Sequence, residues 1–379
     1  MTDTLIAAAH SHEGISWTRR EIAQQPATLR ATQALLHAAR DEITAFLTPL
    51  LAQPDLRVIL AGAGTSAFIG ECLAPCLSHH LGRTVEAIAT TDIVSAPQLY
   101  LRGDVPVLLV SFGRSGSSPE SVAAVDLVDR MVSKAHHLIV TCNAAGELAQ
   151  RGGDRTQVIV LPEETHDRSF AMTSSFSAMM LAALSTLGGI DALDARVPAI
   201  AAGVADMLAR AEPVVAELAT RGFERVVYLG SGVFRGLARE AALKLMELSD
   251  GAVVTAFDSS LGFRHGPKTI ITGRTLAVVF VSNDPLTRRY DLDIVAELRG
   301  DAQAGAVVVI SAGPDDTATI TVDGLADAAD ADLLFPFIVP AQLFALHVSE
   351  ALGLTPDRPN ASGTVNRVVQ GVRIHAVDA

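Results

Sequence analysis

A chain of 379 residues has room for two or three domains. A composition 49% hydrophobic but only 4% aromatic makes Ala, Val, Leu and Ile the filling of its core, as in layered α/β folds. The net charge of −13 argues against a general nucleic-acid surface, yet leaves room for a local cationic site that takes a small anion. Three cysteines, Cys72, Cys76 and Cys142, do not make a disulfide framework in a chain of this length.

The first 25 residues carry His, Glu and Arg and no apolar signal core, so a cytoplasmic location is expected. Trp17 to Leu50 has a 3.6-residue apolar period interrupted at Pro26, which predicts an N-terminal helical segment over residues 1–54. After Pro54 strands alternate with helices. The run Arg57–Ala61 ends in Gly62-Ala63-Gly64-Thr65-Ser66 and opens a helix to about Leu81. On that helix Cys72 and Cys76 stand four apart with no His or Cys cluster beside them, so they read as small buried residues rather than zinc ligands. A strand over 105–110, a helix near 119–134, strands at 138–141 and 158–161, and a helix from about Met172 follow. The longest apolar stretch, Phe176–Ile190, is broken by Ser and Gly and is shorter than the ~20 residues of a membrane span.

The series then starts again. Arg225–Leu229 ends in Gly230-Ser231-Gly232 and opens a helix to about Ser249; strand 276–281, a helix near 286–298, strands 307–310 and 319–322 and a helix from about Pro336 complete it. Two such series predict two doubly wound α/β units, over residues 55–205 and 206–379. Neither turn continues to a full G-x-G-x-x-G, so a dinucleotide cofactor is not expected.

Residues 111–120, Ser-Phe-Gly-Arg-Ser-Gly-Ser-Ser-Pro-Glu, form a turn between a buried strand and a helix start, with Arg114, Ser115, Ser117 and Ser118 at its tip. Backbone N–H groups and hydroxyls at the positive end of a helix suit a phosphate, and the same residues also suit a simple helix cap. The second half has Ser282-Asn283-Asp284-Pro285 at this place, which keeps the proline, loses the serine cluster and gains an acid. The cradle is therefore expected in the first half only.

On the helix 232–249, Glu240, Lys244 and Glu247 fall in one wedge roughly 60° wide, flanked by apolar residues. This pattern fits either a solvated stripe or a carboxylate at a pocket edge, with proton affinity raised by burial and tuned by a lysine. Further on, His265-Gly266-Pro267 sits on a tight turn, where the histidine is either polar surface or an acid/base partner.

Together Gly64-Thr65-Ser66, Arg114-Ser115-Gly116-Ser117-Ser118, Cys142-Asn143, the Glu240–Lys244–Glu247 helix and His265-Gly266-Pro267 resemble sugar isomerase (SIS) domains, including the isomerase part of glucosamine-6-phosphate synthase. The stretches 16–26, 282–285 and 363–371 resemble the AgaS-type group, described as galactosamine-6-phosphate deaminase/isomerases or tagatose-6-phosphate ketose/aldose isomerases. The resemblance implies two tandem SIS domains, each a flavodoxin-like α/β/α layer set with a mainly parallel sheet. It implies phosphate or substrate contacts from Gly64, Thr65, Ser66, Arg114, Ser115, Ser117, Ser118, Ser174 and Glu240. Glu247 would move a proton between C1 and C2, Lys244 would tune it, and His265 would assist ring opening from a partner subunit of a homodimer. No cofactor, metal, nucleic acid or membrane is expected.

Two departures narrow the reaction. The synthase's lysine near the C-terminus has no counterpart in Asp357–Thr364, and Thr2 stands where its glutaminase nucleophile would be, with too few residues before the first sheet for that domain. Synthesis from glutamine is thus not expected. Deamination of a hexosamine 6-phosphate is, with plain aldose–ketose isomerisation or sugar-phosphate binding without chemistry as alternatives.

Overall fold

The computed structural model describes residues 15–376, apart from 314, 315 and 370. The start of the expected segment 1–54, Thr2 and position 370 of the 363–371 stretch lie outside the described residues. The chain opens with α1 (Trp17–Ala23), α2 (Gln25–Ala38) and α3 (Arg40–Leu51). Pro26 begins α2 rather than breaking a helix, because it sits in the first turn where its missing N–H has no helical acceptor.

The first sheet then forms from β1 (Arg57–Ala61), α4 (Thr65–Leu81), β2 (Val85–Ala87), α5 (Thr90–Ser95), α6 (Pro97–Tyr100), β3 (Val107–Gly113), α7 (Pro119–Met131), β4 (Ala135–Thr141) and β5 (Thr156–Val160). Helices α8 (Ser174–Gly188) and α9 (Ile190–Ala219) lead to the second: β6 (Arg225–Gly230), α10 (Val233–Leu248), β7 (Val254–Asp258), β8 (Thr275–Phe280), α11 (Pro285–Asp301), β9 (Ala306–Ser311), β10 (Ile320–Thr321) and finally α12 (Asp330–Ala351).

Both sheets are parallel and five-stranded, and they share one order: β2-β1-β3-β4-β5 and β7-β6-β8-β9-β10. Their registers agree, with Arg57 opposite Val107 in one and Arg225 opposite Thr275 in the other. The turns agree as well. Gly64 (φ 57°, ψ −129°) and Gly232 (φ 57°, ψ −124°) hold the same left-handed backbone at the start of α4 and α10. A Cβ on Gly62 would lie 2.6 Å from Ser66, and one on Gly230 would lie 2.6 Å from Phe234, so each first glycine lets a helix turn close on its strand. Gly-x-Gly therefore has a packing reason in both halves.

Alternate residues of each strand face different cores, as the period of two requires. Val58 and Leu60 of β1 and Val226 and Tyr228 of β6 point into one shared core, which α2, α4, α8, α9, α10 and α12 fill. Ile59 and Ala61 face a second core and Val227 and Leu229 a third, on the outer faces of the two sheets. The central helices therefore lie between the sheets.

Several boundaries differ from expectation. Strand β3 runs on through Ser111, Phe112 and Gly113, all buried, so the serine turn begins at Arg114. The edge strands β2 and β7 were not predicted: one is three residues long, the other half exposed, and neither has the continuous apolar run of a central strand. Helix α12 starts at Asp330 and carries Pro336 and Pro340 inside it. It replaces Phe176–Ile190 as the most apolar long helix. Its length and composition would suffice to cross a membrane, but 94% of its apolar window is buried inside the fold. Cys72 is buried, while Cys76 is only half-buried, its thiol donating to the Leu73 carbonyl. The expected division at 205/206 falls inside α9, a 30-residue helix that joins the two sheets.

Candidate active site

In a parallel sheet of this order, the strand ends at β1 and β3 diverge and leave a crevice at their carboxyl edge. The turns 62–64 and 114–118 border that crevice in the first sheet. Helix α10 of the other half is carried to it by a close helix crossing. A Cβ on Gly236 would lie 2.6 Å from the Cys72 backbone nitrogen, so only glycine lets α10 approach α4 this far.

The crossing joins Thr65 to the wedge on α10. Lys244 Nζ donates to Thr65 Oγ1 at 2.9 Å and to Glu247, and lies 3.4 Å from Glu240 Oε1. The Thr65 hydroxyl in turn donates to Glu240 Oε1 at 3.2 Å. Lys244 and Glu240 are completely buried and the Glu247 side chain is 23% exposed, so the wedge is not a solvated stripe. Burial pushes the Glu240 carboxyl up to about 8; Lys244 opposes this and Glu247 adds to it. Burial alone would discharge Lys244, but Glu240 and Glu247 outweigh it and hold the ammonium. With Glu240 neutral, the dry cluster reduces to one ammonium against the Glu247 carboxylate, which opens toward solvent. Glu240 Oε2 has no hydrogen-bond partner among the described residues.

The serine turn lies exposed to half-buried. Ser115 Oγ accepts from Ser117 N, Ser117 Oγ accepts from Glu147 N at 3.0 Å, and Ser118 Oγ donates to Ser121 Oγ at 2.7 Å. Ser118 is the N-cap of α7 but makes no side-chain cap bond, so its position adds no acceptor to the helix start. Ser66, in the first turn of α4, is buried, and its hydroxyl makes no hydrogen bond among the described residues.

Besides Thr65 and Glu240, which face Lys244 inside the dry cluster, two further expected substrate contacts are directed elsewhere. Arg114 is buried, and its guanidinium donates to the carbonyls of Ser169, Phe170 and Arg367. Burial, then repulsion from Arg367, lowers it to about 10, while Asp167 and Glu247 work the other way. It thus lies within electrostatic reach of Glu247 without pointing into the turn. Ser174 is fully buried at the start of α8, with its hydroxyl donating to Asp167 Oδ1 at 2.5 Å and accepting from Gln24 Nε2 at 2.8 Å. Both hydroxyl roles are filled, so it has no proton left for a ligand.

The partners of these residues form a network with no local sequence pattern. Asp167 caps α8 by accepting from the backbone of Thr173 and Ser175. Glu21 of α1 accepts from the amides of Arg168 and Ser169 and from the Ser169 hydroxyl. Burial, with Asp167 nearby, pushes the Glu21 carboxyl up to about 7. Arg367, in the C-terminal tail, donates to the Asp167 carbonyl from Nε at 3.0 Å. Asp357, earlier in the tail, accepts from the amides of Trp17 and Thr18. Helix α1, the loop 166–170 and the tail are thereby tied to Arg114 at the base of the serine turn.

His265 is exposed, in the loop after β7, and its ring has no hydrogen-bond partner among the described residues. The structure does not bring it to Glu247 within one chain. The matching crevice of the second sheet is filled from inside. Asp291 of α11 accepts from Ser231 Oγ at 2.7 Å, Ser260 Oγ at 2.5 Å and Ser282 N at 3.1 Å. A cavity of about 480 Å³ lies between α4, β2 and α10, among Glu71, Ser78, Arg235 and Arg239, and none of the expected side-chain contacts lines it. On the surface, His37, Asp191 and Asp194 bring ligand-type atoms within 4.8 Å of one another; Arg40 pairs with Asp191 and Gln33 with Asp194.

The SIS domain family matches residues 50–187. An AgaS protein of Streptomyces coelicolor is 51% identical over 95% of this chain and 96% of its own length. The D-galactosamine-6-phosphate deaminase AgaS of Escherichia coli is 45% identical, over 95% of this chain and 96% of its own. Among solved structures, tagatose-6-phosphate ketose/aldose isomerase from Escherichia coli superposes with a TM-score of 0.88 and 42% identity, covering 96% of this chain and 97% of that one.

Proposed function

The chain belongs to the SIS domain family and, within it, to the AgaS group, and on that premise we propose that it deaminates and isomerises a hexosamine 6-phosphate. The substrate class is galactosamine- or glucosamine-6-phosphate, and the products are a ketose 6-phosphate and ammonia. The observation that carries this reading is the Lys244–Glu247 pair on α10, its ammonium buried and its carboxyl partly exposed, joined through Thr65 to the Gly-x-Gly turn of the first sheet.

The phosphate sits at the first turn of α4 and the serine turn, held by the hydroxyls of Ser66, Ser115 and Ser117 and the amides around Gly64, with Ser118 contributing through the start of α7, its hydroxyl proton being given to Ser121. It anchors one end of the sugar and so positions C1 and C2. His265, supplied by the other subunit of a homodimer, assists ring opening. In the open-chain amine Glu247 takes the C2 proton and returns it at C1, by way of an enolamine. The resulting C2 ketimine adds water and expels ammonia, leaving the C2 ketone, so one water enters for each ammonia released. Lys244 pairs with Glu247 and orients its carboxyl. The chemistry needs no metal, and the location is cytoplasmic. The phosphate contacts come from the half that carries the first sheet and the base from α10 of the other half, with α1–α3 as a helical support.

The test is a panel of hexosamine 6-phosphates assayed for ammonia and ketose together. Ammonia and ketose in equal amounts support the proposal. A second reading, isomerisation of an amine-free sugar phosphate with the same base, has the solved tagatose-6-phosphate isomerase in its favour. Ketose formed from an aldose phosphate, with no ammonia from any hexosamine phosphate, would select it. Neither product from any substrate would overturn both.

A further inference from the structure

Thr65 stands among the residues expected to hold phosphate, yet its hydroxyl is turned to the other half of the molecule. Its proton goes to Glu240 Oε1 and one lone pair accepts from Lys244 Nζ. A hydroxyl has a single proton, so Thr65 has none to give a phosphate oxygen while this arrangement lasts. The side chain is walled in: Thr65 is 4% exposed, and Glu240 and Lys244 are at 0%. Ser66, one residue on, keeps a hydroxyl without a protein partner on the same helix turn.

Lys244 has three N–H donors and three oxygens around it: Thr65, Glu247 and, at 3.4 Å, Glu240. Thr65 supplies the one hydroxyl among the three; the other two are carboxyl oxygens. Its oxygen is a fixed acceptor for the ammonium, while its proton satisfies the Glu240 oxygen that lies 3.4 Å from Lys244. Removing that oxygen takes away the acceptor that sets the ammonium's place beside Glu247.

We propose that Thr65 is a positioning residue of the proton-transfer step, holding Lys244 against Glu247 from the opposite half of the chain, and not a phosphate ligand. The inference rests on the reading of Glu247 as the base. It makes one turn of α4 serve both ends of the substrate, Ser66 toward the phosphate and Thr65 toward the base.

The test compares Thr65→Val, which keeps the side-chain shape without the oxygen, with Thr65→Ser, which keeps the hydroxyl. Ammonia release is measured against pH on galactosamine- and glucosamine-6-phosphate, together with inhibition by inorganic phosphate. The valine variant is expected to lose roughly tenfold or more in kcat, with KM and phosphate inhibition within about twofold. Serine restores kcat. A rise in KM with kcat preserved, no change in either, or failure of serine to restore activity overturns the inference. If valine prevents folding, Thr65→Ala is read in the same way. Glu247→Gln is run alongside: an inactive E247Q with a wild-type T65V overturns the role of Thr65 alone, whereas a fully active E247Q overturns the base reading and this inference with it.

Discussion

Asp284 and Ser118 stand at the same place in the two halves, and only the acid caps its helix. Asp284 Oδ1 accepts from the amides of Leu286 and Thr287, so the start of α11 already holds a negative charge. Ser118 sends its hydroxyl to Ser121 and leaves α7 without a side-chain cap. With Asp291 filling the crevice behind Asp284, the second half has its own carboxylates at the place where the proposed phosphate would sit in the first. This is a physical reason for a duplicated chain to keep one phosphate site.

Ser118→Asp should therefore convert the first half to the state of the second. A carboxylate at this N-cap supplies the charge that α7 lacks and repels a phosphate. The thermal midpoint should hold or rise slightly, while KM for the sugar phosphate and the Kd for inorganic phosphate both increase by roughly tenfold, about 1.4 kcal/mol. Steady-state kinetics and calorimetric titration with phosphate check this; an unchanged phosphate Kd would place the anion elsewhere.

The central strands, both Gly-x-Gly turns and the acidic wedge of α10 were legible in the sequence because their signals are local: apolar runs, glycines and a 3.6-residue period. Edge strands β2 and β7 lack that signal, being short or half exposed. The true environments of Arg114 and Ser174 could not be read either. Arg114 finds its acceptors at Ser169, Phe170 and Arg367, and Ser174 is held by Gln24 at the end of α1, all far away in the chain. No period or spacing encodes such pairings. The sequence predicts a helix from about Met172, and only the fold shows that Asp167 accepts from its first amides.

Glu21 makes the stability of the protein pH-dependent in a set direction. Its folded carboxyl titrates at about 7, above the ordinary value of 4.5. The folded state therefore binds this proton more tightly than the unfolded chain does. The contribution is fully present below pH 4.5 and is lost as pH rises through about 7, at no more than about 1.4 kcal/mol per pH unit for one proton. Asp167, Arg367 and the Ser169 hydroxyl are the groups that face it. Glu21→Gln should flatten the urea-unfolding free energy between pH 4.5 and 7 relative to wild type. A slope equal to that of wild type would show that another group titrates there.

Arg367 bears on the site through the tail. Its guanidinium holds the Asp167 carbonyl, its own carbonyl accepts from Arg114, and Asp357 pins the tail to α1. Arg367→Ala removes one end of this clamp and leaves the buried guanidinium of Arg114 facing a loosened acceptor. The expected result is faster proteolysis of the tail after residue 358 and a several-fold rise in KM, with protection restored by saturating sugar phosphate. Cleavage at the wild-type rate with unchanged KM would make the tail contact incidental.

His265 decides whether the site is shared. It is exposed, and among the described residues nothing in its own chain engages its ring. If it reaches Glu247 of a second copy, two dead variants complement each other. In a dimer of one Glu247→Gln subunit with one His265→Ala subunit, both substitutions meet in one site, which is dead. The other site is whole, with Glu247 from one subunit and His265 from its mate. Random pairing makes half the dimers mixed, each with one working site of two, so ammonia release should recover to about a quarter of wild type. A histidine acting within its own subunit gives a different result, because each subunit of the mixed dimer then carries one broken residue and no site is whole. Co-expression with two tags, purification of the doubly tagged species and a single ammonia assay separate the two: the isolated heterodimer shows about half of wild-type activity for a shared site and only the residual activity of the parents for a closed one.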